Sequence, residues 1–134
     1  MLKYLLDTDI AIYIMKNKPE AVRAQFSRHD GKIGISSVSM MELYWGCYQS
    51  AQQERNLETL DGFRTRLSVL AFDLAAAEHT GDIRASLKQS GQMIGAYDLM
   101  IAGHARSRGL CLVSNNSREF ERVAGLRLEN WATQ

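Results

Sequence analysis

At 134 residues the chain has room for one domain with a packed core and little for a second, so residues 1–134 are read as a single domain. Hydrophobic residues make up 46% and charged residues 23%, a balance that excludes intrinsic disorder. A net charge of +1 argues against a protein that coats nucleic acid through a large positive field, but not against a nuclease whose acidic ligands offset local cations.

In chain order, residues 3–7 read as a buried strand, a short apolar run ending in Asp7-Thr8-Asp9. Residues 10–16 suit a short helix that Thr8 or Asp9 could cap. Pro19 fits the first turn of a second helix, with Lys18 pushed toward an extended conformation, and His29-Asp30-Gly31 closes that helix after about Arg28. Residues 33–36 form a second strand. Ser37 or Ser39 can cap a helix to about residue 50, and Ser39 to Glu42 has capping-box spacing. Residues 53–67 predict a polar helix, 69–72 a third strand, and Asp73 caps a helix to about Gln89, broken by Ser90-Gly91-Gln92. Asp98 opens the next helix, which ends near Arg108-Gly109; residues 110–113 are a fourth strand, 114–116 a turn, 117–122 a short helix and 126–128 a fifth strand.

Short apolar strands alternating with helices predict an α/β fold: a parallel sheet of about five short strands, flanked by helices. Ligands of such sheets bind beyond the carboxyl ends of the strands. Asp7, Ser36 and Ser114 to Asn116 fall at those ends, and Glu42 and Asp98 lie in the first turns of helices that could return to the same edge. Each acid has an ordinary reading: Asp7 beside a helix start, Glu42 as half of a capping box, Asp98 as a helix-dipole partner, Glu119 as a solvated acid. Together they say more. Carboxylates held close repel one another unless cations compensate, and hard oxygen ligands suit Mg²⁺ or Mn²⁺, ions that activate water and clamp a phosphodiester. His29, His79 and His104 are scattered, and His104, six residues after Asp98, points away from that acid's face, so all three are read as structural or surface groups.

Four segments carry a resemblance: Leu5-Leu6-Asp7-Thr8-Asp9, residues 36–43 around Glu42, residues 97–105 including Asp98, and residues 114–120. In order and spacing they resemble the PIN-domain family and, within it, the VapC toxins of bacterial toxin–antitoxin pairs. The resemblance implies a PIN fold and an Mg²⁺- or Mn²⁺-dependent endoribonuclease that leaves a 3′-hydroxyl and a 5′-phosphate. It implies tRNA as substrate, cut in the anticodon stem-loop, initiator tRNA included, and so inhibition of translation. It also implies a homodimer and a VapB-like antitoxin that wraps the toxin and sets a basic side chain near the acids. Asp7, Glu42 and Asp98 match the family's principal acids and its metal ligands. Position 116 is Asn where many members carry a fourth Asp, and Asp9 stands where Asn or Ser is common; Glu119 is the nearby acid that could serve as the fourth.

Ser114, Asn116 and Arg118 are the candidate substrate contacts, and Lys3, Lys16, Arg106 and Arg108 further phosphate contacts. Met40, Met41, Leu43, Tyr44, Trp45 and Tyr48 exceed one helix stripe, so some are expected at an antitoxin or dimer surface. Cys47 and Cys111, in no paired motif, are expected as buried reduced thiols. No run approaches the ~20 apolar residues that span a bilayer, so a cytoplasmic protein without membrane contact is expected. Two rivals remain. Asp7-x-Asp9 resembles the nucleophile motif of haloacid-dehalogenase phosphatases, though Ile10-Ala11 departs from its continuation. A non-catalytic RNA- or protein-binding scaffold is the other.

Overall fold

The computed structural model describes residues 1–16 and 19–132; the expected conformation of Lys18 lies outside them. The elements run β1 (Tyr4–Leu6), α1 (Thr8–Met15), α2 (Glu20–Arg28), β2 (Ile33–Ser36), α3 (Ser37–Tyr48), α4 (Gln53–Arg64), β3 (Ser68–Leu70), α5 (Leu74–Ser90), α6 (Ala96–Ser107), β4 (Cys111–Val113), α7 (Ser117–Phe120) and β5 (Leu128–Glu129). All strand pairs are parallel, in the order β3-β2-β1-β4-β5. The chain winds outward from β1 through β2 to β3, then crosses to β4 on the other side of β1. The strand order therefore reverses between β1 and β4, and it is beside such a reversal that a parallel sheet opens a crevice.

Period-two alternation splits β1 between two cores. Leu6 packs with Ile10, Ile14, Val22, Phe26, Leu43 and Leu60 on the face covered by α1 to α4. Leu5 packs with Ile83, Leu87, Leu99 and Ile101 on the face covered by α5 and α6. The central strands β2, β1 and β4 are buried on both sides, and so they read as apolar runs, whereas the edge strands β3 and β5 are more exposed. Helices α5 and α6 meet through Gly103: a Cβ there would run into Thr80 Oγ1 and come within 2.8 Å of the Thr80 Cα and backbone nitrogen.

Several boundaries differ from the sequence reading, each for a local reason. Asp7 itself caps α1, so the helix starts at Thr8 and neither Thr8 nor Asp9 is the cap. Pro19 is the extended N-cap of α2 rather than a first-turn residue. Ser36 caps α3, which puts Glu42 in its second turn and leaves no capping box with Ser39. Helix α4 stops at Arg64 and α7 at Phe120, short of 67 and 122. The last strand is Leu128–Glu129, set by its pairing with Leu112 and Val113. Cys47 and Cys111 are buried free thiols, as expected.

Candidate active site

Asp7 ends β1 at the reversal point and is 4% exposed. A carboxylate this buried needs partners. Its Oδ1 accepts from the backbone amides of Asp9 (2.7 Å) and Ile10 (3.2 Å), the first-turn donors of α1. Its Oδ2 accepts from the hydroxyl of Ser114, which lies just past the end of β4, at 2.5 Å. Burial pushes the Asp7 carboxyl above its ordinary range, and the Ser114 hydroxyl and the two amides pull against that.

Ser114 was expected to touch substrate. It is fully buried, and its Oγ both donates to Asp7 and accepts from the Asn116 amide (2.9 Å), so it orients an acid instead. Asn116, likewise expected at the substrate, donates through Nδ2 to Glu119 Oε2 at 2.9 Å. Asn116 thus holds the acid three positions on. Arg118 is exposed on α7 beside this turn.

Asp98 sits in the first turn of α6, half-buried. Its pKa is raised to about 7, first by burial, then by a hydrogen bond and charge from Glu119, then by the charges of Asp7 and Glu42. Four acids from four elements thus feel one another at a single place. Glu42 is held by an unexpected partner: the Thr8 hydroxyl donates to its Oε1 at 2.7 Å and lies 3.0 Å from Ser39 Oγ. With one proton on Thr8, the Ser39 hydroxyl is the donor of the second bond. Only the proximity of Thr8 to Asp7 in the chain hinted at this; the 34-residue separation from Glu42 hid it.

The two helices that carry Glu42 and Asp98 are tied to each other deep in the fold. His104 of α6 is fully buried, with Nδ1 at 2.8 Å from Ser36 Oγ, the cap of α3. Ser36 Oγ also accepts from the Val38 amide (3.1 Å), and the other ring nitrogen of His104, Nε2, is buried without a hydrogen-bond partner among the described residues. Burial holds this imidazole below its ordinary pKa, so it is neutral. The structural reading of His104 therefore stands.

Of the expected phosphate contacts, Arg106 is committed elsewhere, to His79 Nδ1 (2.9 Å), Asp82 (2.7 Å) and the Ala124 carbonyl (3.0 Å). Lys3 precedes β1 and Arg108 follows α6, both at the opposite end of the sheet from the acids. Lys16 and Arg118 are left on the site's side.

The donor set suits a divalent cation. Among the described residues no three acid, histidine or cysteine side chains stand ready-gathered around one point. The carboxylates of Asp7, Glu42 and Glu119 are instead turned toward Ser114, Thr8 and Asn116. Negative charge held this close is offset either by a proton or by a hard cation with oxygen ligands.

The PIN-domain family model matches residues 4–126. The chain is 56% identical over 132 residues to a Shigella flexneri protein described as a tRNA(fMet)-specific endonuclease VapC, covering 98% of this chain and all of that one. A Salmonella typhimurium protein of the same description is 52% identical, over 98% of this chain and 99% of its own. Among solved structures, DNA-bound VapBC from Salmonella typhimurium superposes with a TM-score of 0.94 at 52% identity, covering 98% of this chain and 99% of that one. The chain therefore belongs to the PIN-domain family, and within it to the VapC ribonucleases. This places the fold as expected and leaves the phosphatase reading without support.

Proposed function

We propose that this chain is the Mg²⁺-dependent endoribonuclease toxin of a VapBC pair, cutting tRNA, initiator tRNA first, in the anticodon stem-loop and so stopping translation. The observation that carries the reading is the placement of Asp7, Glu42 and Glu119 at the reversal edge of the sheet, each fixed by a neutral polar side chain, with Asp98 in the first turn of α6 beside them. The descriptions of the relatives support the substrate.

Asp7, Glu42 and Asp98 would hold Mg²⁺ or Mn²⁺, with Glu119 assisting. Such an ion supplies an acidified water and charge neutralisation on a phosphodiester. The chain's own residues supply the rest. Ser114 and the first amides of α1 fix Asp7; Thr8 and Ser39 fix Glu42; Asn116 fixes Glu119. Exposed Arg118 is placed to take a phosphate of the RNA backbone. A VapB-like antitoxin is the partner, as in the VapBC complexes that the fold matches, and a homodimer is the expected core of the assembly. No helix among the described residues is long and apolar enough to cross a membrane, in keeping with a cytoplasmic role.

The test is cleavage of total tRNA by antitoxin-free wild type and Asp7→Asn, with Mg²⁺ and with EDTA. Discrete fragments are expected from wild type with metal alone. Equal cleavage by the variant, or cleavage that survives EDTA, would sink the reading; a covalent phosphate trapped on Asp7 would revive the phosphatase.

A further inference from the structure

Glu42 and Asp98 ride on α3 and α6, and each helix carries one half of a buried polar pair six residues from its acid. His104 follows Asp98 by six, and Ser36, the cap of α3, precedes Glu42 by six. Six residues are about 9 Å along a helix axis, so neither residue reaches the acid of its own helix. The charged groups that act on the His104 ring are Asp73 and Arg108, not the acids of the site. We propose that His104 is a positioning residue for the metal site: its bond to Ser36 sets where α3 starts against α6, and so the spacing at which Glu42 and Asp98 meet a divalent cation. The inference rests on the metal-dependent reading above and adds to it what keeps the two halves of the site in register.

Three observations carry this. The bond is directional where its surroundings are not. His104 Nδ1 and Ser36 Oγ stand 2.8 Å apart, both residues are fully buried, and among the described residues this is the hydrogen bond that joins the cap of α3 to α6. Around it Val38 shares a core with Leu99, Ile101 and Ala102, and apolar contact is non-directional, so it holds helices together without fixing their register. The second observation is the place of Ser36. It ends β2, and the same oxygen that meets the ring accepts from the Val38 amide at 3.1 Å, fixing the first turn of α3 that leads on to Ser39 and Glu42. The third is that histidine is a costly filler here. Its Nε2 is buried without a partner among the described residues, and its ring stands edge-on to Phe72 at 5.6 Å. A leucine of similar volume would occupy the place with no orphaned atom. What histidine supplies and leucine does not is the bond to Ser36.

Two substitutions separate positioning from packing. The measurements are Mn²⁺ affinity, read by electron paramagnetic resonance of the free ion, and thermal melting, both on full-length, antitoxin-free protein stripped of metal. His104→Leu is expected to bind Mn²⁺ about tenfold more weakly than wild type, the lower end of what partners beyond the ligands themselves contribute. It is expected to melt about as high as wild type, since the unpartnered nitrogen goes with the bond. His104→Asn places an amide where Nδ1 stands, so it keeps the bond to Ser36 and leaves a gap where the ring was. It is expected to melt lower than His104→Leu, yet to hold Mn²⁺ within about threefold of wild type. Should His104→Leu fail to fold, His104→Met, more adaptable in a buried place, takes its part with the same expectation. Mn²⁺ affinities that simply follow the melting temperatures would reduce His104 to a packing residue and overturn the proposal. Wild-type affinity in the folded leucine or methionine variant would overturn it too. Wild type that takes up no Mn²⁺ would instead take down the metal-dependent reading, and the proposal with it.

Discussion

Asp7, Glu42 and Glu119 are each held by a neutral polar side chain: Ser114, Thr8 and Asn116. Removing such a holder leaves the acid in place but free to rotate, and partners of this kind typically matter about 10- to 100-fold in activity or metal affinity. Ser114→Ala and Thr8→Val are each expected to lower kcat within that range and to raise the Mg²⁺ needed for half-maximal rate, with folding retained by circular dichroism. Asp98 has a separate signature. Its folded pKa of about 7 lies above the ordinary 3.8, so between those values the folded state binds more protons than the unfolded one. Stability of the metal-free protein therefore falls as pH rises from about 4 to about 7 on account of this group. Asp98→Asn should flatten that part of the melting-temperature profile; an unchanged profile would show that the carboxyl is not strained by its neighbours. These holders were the least legible part of the sequence. Asp7, Glu42 and Asp98 stood out as acids beside apolar runs, but a serine at the end of a strand looks the same whether it faces RNA or a buried carboxylate. Burial, which one sequence does not show, decides between them.

The elements were more legible than their ends. Apolar runs at 33–36 and 110–113 located β2 and β4 because a strand buried on both faces has no polar alternation to confuse it. Asp73 and Gly91 bracketed α5 as its N-cap and its left-handed C-cap. Helix starts were misread where several capping residues stand in a row, as at Asp7-Thr8-Asp9 and Ser36-Ser37-Val38-Ser39; the cap is chosen by where the sheet releases the chain, a tertiary fact. The close passage of α5 over α6 was also invisible, since Gly103 reads as a poor helix former in an otherwise good helix. Its role predicts opposite effects for two like substitutions. Gly103→Ala should destabilise by about 1–3 kcal/mol, because the added methyl meets the backbone of Thr80. Gly81→Ala on α5, with nothing within 4 Å, should instead gain up to about 1 kcal/mol of helix propensity. Thermal or urea melts separate the two; a stabilising Gly103→Ala would mean that the helices sit farther apart.

Across the whole molecule the two sides of α3 divide the work. Met40, Leu43 and Cys47 go into the core, while Met41, Trp45 and Tyr48 stay out, Trp45 at 64% and Tyr48 at 57% exposed. Exposed apolar residues in a row at helical spacing are a common mark of an association surface. Truncating Trp45 to Ala is expected to weaken retention of a co-expressed VapB-like antitoxin or to shift the toxin toward monomer on gel filtration, with Mg²⁺-dependent cleavage preserved. Retention and oligomer size both unchanged would remove that face from the assembly.

The bond between Ser114 and Asp7 joins residues 107 positions apart. Its partner strands, β1 and β4, are adjacent in the sheet although α1 to α6 lie between them in the chain. A chain made from its N-terminus forward therefore holds Asp7 without this partner until β4 has followed β1, and Glu119 comes after that. Because Asp7 and Glu42 are each fixed by a residue from a distant part of the chain, the centre comes together with the sheet and not ahead of it.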